Sequence, residues 1–166
     1  MTTVRWAGVE DAASIATIHV QSWRVAYRGL VAQAYLDGLD PADRLPRWRQ
    51  WLAEYTWPSR GTLVAEQGRS VVGFANLSTG DEAELHAIYV RPDAWGTGAG
   101  RALMDAAVGH LAEAGCRDVV LWVLATNERA RRFYEKAGWH ADGAEAPHDV
   151  GGVDHIVVRY RRSLLG

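Results

Sequence analysis

Residues 88–108 read IYVRPDAWGTGAGRALMDAAV: a short apolar strand, a proline, three glycines at alternate positions and an apolar-periodic helix in immediate succession. Gly96, Gly98 and Gly100 strip side chains from a loop that must turn tightly. Successive backbone N–H groups can then converge on one cluster of ligand oxygens, while the helix N-terminus adds partial positive charge. A diphosphate fits such a cradle. Two familiar phosphate loops do not fit the letters. A P-loop needs Lys and then Ser or Thr after its last glycine, and Arg101 and Ala102 stand there. A dinucleotide fingerprint needs its third glycine where Arg101 stands and an acid at the end of the following strand, which closes on Val123, Leu124 and Ala125. A glycine-rich helix entry that holds no ligand is the plain alternative.

Before this stretch, Val4–Gly8 reads as a strand. Asp11 then caps a helix that carries Ala12, Ile15, Ala16, Ile18 and His19 on one face and ends near Gly29. A second helix begins at Pro41, with Leu45, Trp48, Trp51, Leu52 and Tyr55 three or four apart, and closes before Trp57 and Pro58. Thr62–Glu66, Ser70–Ser78 and Glu84–Val90 read as three strands. After the glycines come a helix over Gly98–Ala114, a doubly covered strand over Val119–Leu124 and a short helix over Asn127–Ala137. Trp139–Ala144 and Val153–Tyr160 make the last two strands, with Glu145–Gly152 as the most loop-like segment between them. Without repeats or long linkers, this order predicts one mixed α/β domain over residues 1–166.

The 166 residues are 48% hydrophobic and 23% charged, with a formal net charge of −2 and one cysteine. A chain of this length buries roughly 70% of its unfolded surface, enough for one core without a staple. Cys116 alone cannot form a disulfide within the chain, and it reads as a small apolar residue at a helix-to-strand corner. Near-balanced charge argues against a broad phosphate-neutralising face, so no nucleic-acid partner is expected. No window approaches the ~18 apolar residues of a membrane span, and Met1–Gly8 lacks an export signal, which predicts a cytoplasmic protein without a membrane partner. His140, Asp142, His148, Asp149, Asp154 and His155 crowd the C-terminal end, but their spacing matches no ligand template and no metal is expected.

The segments RPDAWGTGAGRAL (91–103) and NERARRFYEKAGW (127–139) together resemble the GNAT superfamily of N-acetyltransferases. Gly98 and Gly100 match its acetyl-CoA loop, and Asn127, Ala130, Phe133, Tyr134 and Gly138 match its downstream motif. Trp95 departs from the family's Gln or Arg, so a polar side-chain contact is lost there while the backbone amides are kept. The order of elements is also similar to the family's from end to end. The resemblance implies an acyl-CoA N-acyltransferase-like fold, with a mixed, mostly antiparallel central sheet flanked by helices, and acetyl-CoA as co-substrate. The cofactor would lie against Ile88, Tyr89 and Val90 of a splayed strand, against the loop residues Trp95, Gly96, Thr97, Gly98, Ala99, Gly100 and Arg101, and against Asn127, Ala130 and Tyr134. Arg129, Arg131 and Arg132 are mostly solvated helix positions, within reach of a CoA phosphate.

An alkyl ammonium has a pKa near 10.4, and only the neutral amine attacks, so a base or a water chain is required. Glu84 is the preferred base and His86, on the same face by alternation, its competitor. Tyr134 aligns with the family's general acid toward the departing thiolate. Trp23 and Tyr27, four apart, read as an aromatic wall for the acceptor, and Asp149 as an ammonium contact from the C-terminal loop. The resemblance thus implies a small-molecule or peptide amine acceptor, with a second copy of the chain as a further partner because relatives commonly dimerise. The rival reading is a CoA-binding sensor or regulatory module without turnover.

Overall fold

Burial alternates along β1 (Thr2–Trp6), so one of its faces meets water, and it pairs antiparallel with β2 (Arg60–Gln67) at one edge of the sheet. The computed structural model describes residues 1–165. Among these, β3 (Ser70–Ser78), β4 (Glu84–Val90), β5 (Asp118–Leu124), β6 (His140–Val150) and β7 (Val153–Ser163) complete a seven-stranded sheet ordered β1-β2-β3-β4-β5-β7-β6. Every neighbouring pair is antiparallel except β4–β5. That parallel pair has a single residue pair in register, Glu84 with Val120. β4 is held by β3 from Glu84 to Val90 except at His86, and β5 by β7 along its whole length, so each follows its own partner and the two separate as the sheet twists.

Helices cover both faces. On one, α4 (Ala99–Glu113) and α5 (Glu128–Lys136) flank a core of Leu63, Leu77, Leu85, Leu103, Leu111 and Leu121, each fully buried. Burying one such side chain contributes about 1.5–3 kcal/mol relative to leaving it in water. On the other face, α1 (Ala12–Ala26) and α3 (Pro41–Glu54) pack Ile15, Ile18 and Trp48 against Val64 and Phe74. A third cluster, around Val20, Tyr27 and Leu36, ties α1 to the end of β5 and to the β6–β7 hairpin.

Three sequence expectations need correction. Gln33–Asp37 forms a short helix, α2, which the periodicity does not announce because only Leu36 of its five residues is buried. The segment 145–152 is not a loop. β6 and β7 pair from Glu145 opposite Val158 to Val150 opposite Val153, and Gly151–Gly152 makes the turn. Pro147 is tolerated there because β6 is an edge strand, with one side free of ladder partners. Asp11 does precede α1, but its side chain does not cap that helix. A 3-10 turn over Val9–Asp11 aims the carboxylate backwards, where it accepts from the Gly8 N–H (2.8 Å) and from both terminal nitrogens of Arg5 (2.8 and 2.9 Å).

Candidate active site

The separation of β4 from β5 opens a cleft of about 900 Å³ across the middle of the molecule. One wall is built from backbone. The loop after β4 carries Gly96 and Gly98, and Gly98 takes φ 90°, a left-handed conformation that a β-branched residue adopts only under strain. No side chain caps the N-terminus of α4, so its first amides remain available to an anion at the positive end of the helix. Gly100 has a different reason for lacking a side chain: a Cβ there would lie 3.3 Å from the Phe133 ring of α5. The glycine therefore lets the two helices that frame the cleft approach each other.

Trp95 does not leave this loop without polar contacts. Its indole N–H donates to the Val90 carbonyl (2.8 Å), tying the loop to the end of β4. The guanidinium of Arg129, from α5, lies 3.3 Å from the centre of the Trp95 ring. A positive group thus reaches the loop from another element, and both residues line the cleft. Asn127 lines it too, while its side-chain oxygen accepts from the Ala130 N–H (3.2 Å) and so starts α5. Tyr134 is half-buried at the base of the same wall, and the desolvation of its hydroxyl pushes it well above the ordinary tyrosine range.

The opposite wall is built from side chains. Trp23 and Tyr27 stand edge to face, with ring centres 4.5 Å apart, and the Tyr27 hydroxyl lies 3.3 Å from that of Tyr89. The His19 Nδ1 and the Trp23 indole N–H are buried behind them without a partner among the described residues. Burial, with the Arg44 charge as a smaller cause, pulls the His19 imidazole down to about 3, so it is neutral at physiological pH. At the foot of this wall Glu84 and His86 meet, with 3.0 Å between a Glu84 carboxylate oxygen and His86 Nδ1. His86 Nε2 lies 2.7 Å from the Ser78 hydroxyl. The hydrogen bond from His86 is the largest influence holding the Glu84 carboxyl below the usual range, and the Arg60 charge adds to it. β4 bulges here: Asn76 faces Ala87 and Leu77 faces Leu85, so His86 has no partner on β3.

The structure brings Glu84, Ile88, Tyr89, Val90, Trp95, Gly96, Gly98, Gly100 and Arg101 to one cleft, together with Asn127, Ala130, Tyr134, Trp23 and Tyr27. Thr97, Ala99 and Asp149 are not among the residues that line it. The Thr97 hydroxyl turns back to the Ala94 carbonyl and to Gln67. Ala99 is buried in the core beneath the loop. Asp149 accepts from the Gly152 N–H (2.9 Å) and secures the hairpin turn, while His148 of the same strand faces the cleft. Arg131 is not a solvated position. It donates to the Ala125 carbonyl (2.7 Å) and to the Tyr160 hydroxyl (2.9 Å), fixing α5 to the sheet. Sequence reasoning gave Ser78 no role, and only the β3–β4 register exposes its contact with His86.

The fold and cleft define an acyl-transfer scaffold, and comparison with known proteins agrees. Residues 20–139 match the model of the Acetyltransferase (GNAT) family. The uncharacterized N-acetyltransferase YuaI of Bacillus subtilis is 33% identical over 134 residues, covering 76% of this chain and 74% of its own. The uncharacterized N-acetyltransferase Mb2688 of Mycobacterium bovis is 32% identical over 157 residues, covering 90% and 97%. Among solved structures, the PaiA N-acetyltransferase of Thermoplasma acidophilum, in complex with coenzyme A, superposes with a TM-score of 0.75 at 20% identity, over 98% of this chain and 99% of that one. The chain belongs to the GNAT family of acetyltransferases, enzymes that take their acyl group from acetyl-CoA.

Proposed function

We propose that this chain, as one domain over residues 1–166, transfers the acetyl group of acetyl-CoA directly to a primary amine while both substrates are bound. The observation that carries the reading is the single β4–β5 pair. It leaves a gap in the sheet with uncapped α4 amides on one side and the Glu84–His86 pair on the other. A thioester laid through that gap presents its carbonyl to the second wall. The α4 amides and Arg129 suit a pyrophosphate, and the free edge of β4 between Ile88 and Val90 suits an extended pantetheine arm.

In this reading Glu84 and His86 take one proton from the bound ammonium, directly or through water, and free its lone pair. Nitrogen attacks the thioester carbon, and a backbone N–H near Ile88 stabilises the oxyanion, a contact whose loss elsewhere costs ~10²- to 10³-fold. The C–S bond breaks as the second nitrogen proton departs, leaving an amide. One proton ends on the thiolate of CoA and the other goes to solvent. Tyr134 donates a hydrogen bond to that thiolate. Even an ordinary tyrosine at ~10 would transfer its proton uphill by about 2 kcal/mol to a thiolate whose acid is near 8.5, and burial raises that cost.

The test combines ligand-induced stabilisation with CoA release. Acetyl-CoA or CoA at one hundred times Kd should add ~2.7 kcal/mol and raise Tm by roughly 5–11 °C, whereas NADH should not. Thiol release on addition of alkylamines, amino acids or short peptides should follow. Stabilisation by both CoA species without release by any amine would favour the sensor reading, and no stabilisation would sink both.

A further inference from the structure

A second cavity, of about 420 Å³, opens between the end of α3 and the β2–β3 edge. Its most unusual lining group is Arg60. The guanidinium carbon lies 5.4 Å from the Trp51 ring and 5.3 Å from the Tyr55 ring. Its Nε donates to the Asn76 side-chain oxygen (3.0 Å), and the buried Asn76 amide donates in turn to the Thr62 hydroxyl (2.9 Å). The guanidinium is thus fixed from one side by a buried amide and flanked by two rings. Its two terminal nitrogens make no hydrogen bond or ion pair among the described residues. A planar, prepositioned fork whose terminal nitrogens pair with no acid, although its charge is felt at Glu84, suits a carboxylate held through two parallel hydrogen bonds.

This cavity adjoins the cleft. Arg60 faces Ser78, and Ser78 faces Glu84, so the three stand in one row across β2, β3 and β4, on the same side of the sheet. Two interstrand spacings separate the Cα atoms at the ends of the row, about 10 Å. One step along the strands, Asn76 faces Ala87, and the first of these lines the small cavity while the second lines the cleft.

We propose that the small cavity is a distal subsite for the acceptor, in which Arg60 takes a carboxylate carried about 10 Å from the nitrogen to be acetylated. The proposal rests on the acetyltransferase reading and narrows it: the acceptor is an amine with a remote carboxylate, such as a long ω-amino acid or a short peptide, and not a polyamine. Three residues of extended peptide span about 10 Å, so a tripeptide reaches from one group to the other. Trp51 and Tyr55 would cover the apolar part of such a molecule near its acid end.

The experiment compares 8-aminooctanoate with octylamine, and triglycine with triglycine amide, by kcat/KM in the wild type, Arg60→Leu and Arg60→Lys. The wild type should prefer each carboxylate at least tenfold over its partner without one. Arg60→Leu should bring that ratio to about one, and Arg60→Lys, which keeps charge but not the fork, should fall between. Calorimetric titration of 8-aminooctanoate onto the CoA-bound protein gives a readout without turnover, and Kd should weaken at least tenfold in Arg60→Leu. Should Arg60→Leu not fold, Arg60→Lys carries both measurements. Arg60-dependent binding without acetylation of any amine would keep the subsite and remove the transfer reading. Acetylation with a wild-type ratio near one, a ratio unchanged by Arg60→Leu, or the lack of any Arg60-dependent binding would overturn the subsite.

Discussion

The two walls of the cleft are made of different material. The α4 wall presents main chain: glycines, uncapped amides and an unpaired strand edge. The α1 wall presents side chains: Trp23, Tyr27, His148, and Glu84 with His86 at its foot. A main-chain wall depends on backbone shape and is indifferent to most substitutions that keep that shape. A side-chain wall can be rewritten one residue at a time, which is how one scaffold serves many acceptors.

If that contrast holds, removing one carboxylate from the second wall should have the largest effect and leave the first wall intact. Glu84→Gln is expected to lower kcat at neutral pH by at least ~10²-fold with acetyl-CoA affinity nearly unchanged, and to recover in part at alkaline pH, where more of the amine is already neutral. An unaltered pH profile would move the proton acceptor to His86 or to water. The first wall should fail only when its backbone is disturbed. Gly98→Val forces a branched side chain onto φ 90° at a strain of about 1–3 kcal/mol, so acetyl-CoA should bind ~10- to 100-fold more weakly in a protein whose fold persists by circular dichroism.

Behind the second wall, the contrast predicts a stability term absent from the first. His19 is held neutral in the folded state down to about 3, whereas an unfolded histidine takes up a proton near 6.5. Its contribution is therefore complete above pH 6.5 and declines as pH falls toward 3, because the unfolded chain then binds the extra proton. Between pH 6.5 and 5 the loss amounts to about 2 kcal/mol, or roughly 4–8 °C in Tm, and His19→Phe should reduce this acid sensitivity. Equal Tm-versus-pH slopes in both proteins would contradict it. The smallest effect is expected from trimming a side chain on the first wall. Arg129→Ala, which removes the guanidinium from Trp95, should raise KM for acetyl-CoA about 3- to 10-fold with little change in kcat. A larger loss would mean that this wall, too, depends on side chains.

The same difference in material explains what could be read in advance. Gly98 is conspicuous in a sequence because a backbone cradle requires a residue without a side chain, Gly100 because two helices meet there, and Asn127 because helix starts favour it. The second wall sends weaker signals. Glu84 and His86 could be placed on one face, but not in contact with each other and with Ser78, since the bulge that frees His86 from β3 depends on pairing between strands. Asp149 has the composition of an ammonium contact, yet it holds a turn, because the hairpin continues to Val150 and turns its carboxylate back onto Gly152. The extension of β6 through Pro147 and the helix over Gln33–Asp37 escaped notice for a related reason: a partner strand stabilises the one and tertiary packing of Leu36 the other, against local propensity.

By itself, the sequence determined the mixed α/β order, the glycine-lined helix entry and the aromatic pair at the end of α1, because each rests on local spacing of residue types along one element. The splay of β4 from β5 was implied by the family resemblance, but tertiary structure alone decided that it leaves one pair, Glu84 with Val120, that Arg129 lies over Trp95 from another helix, and that Arg60 stands in line with Glu84 two strands away. These are contacts between segments far apart in the chain, and their geometry is fixed by register and sheet twist, quantities that no single segment encodes.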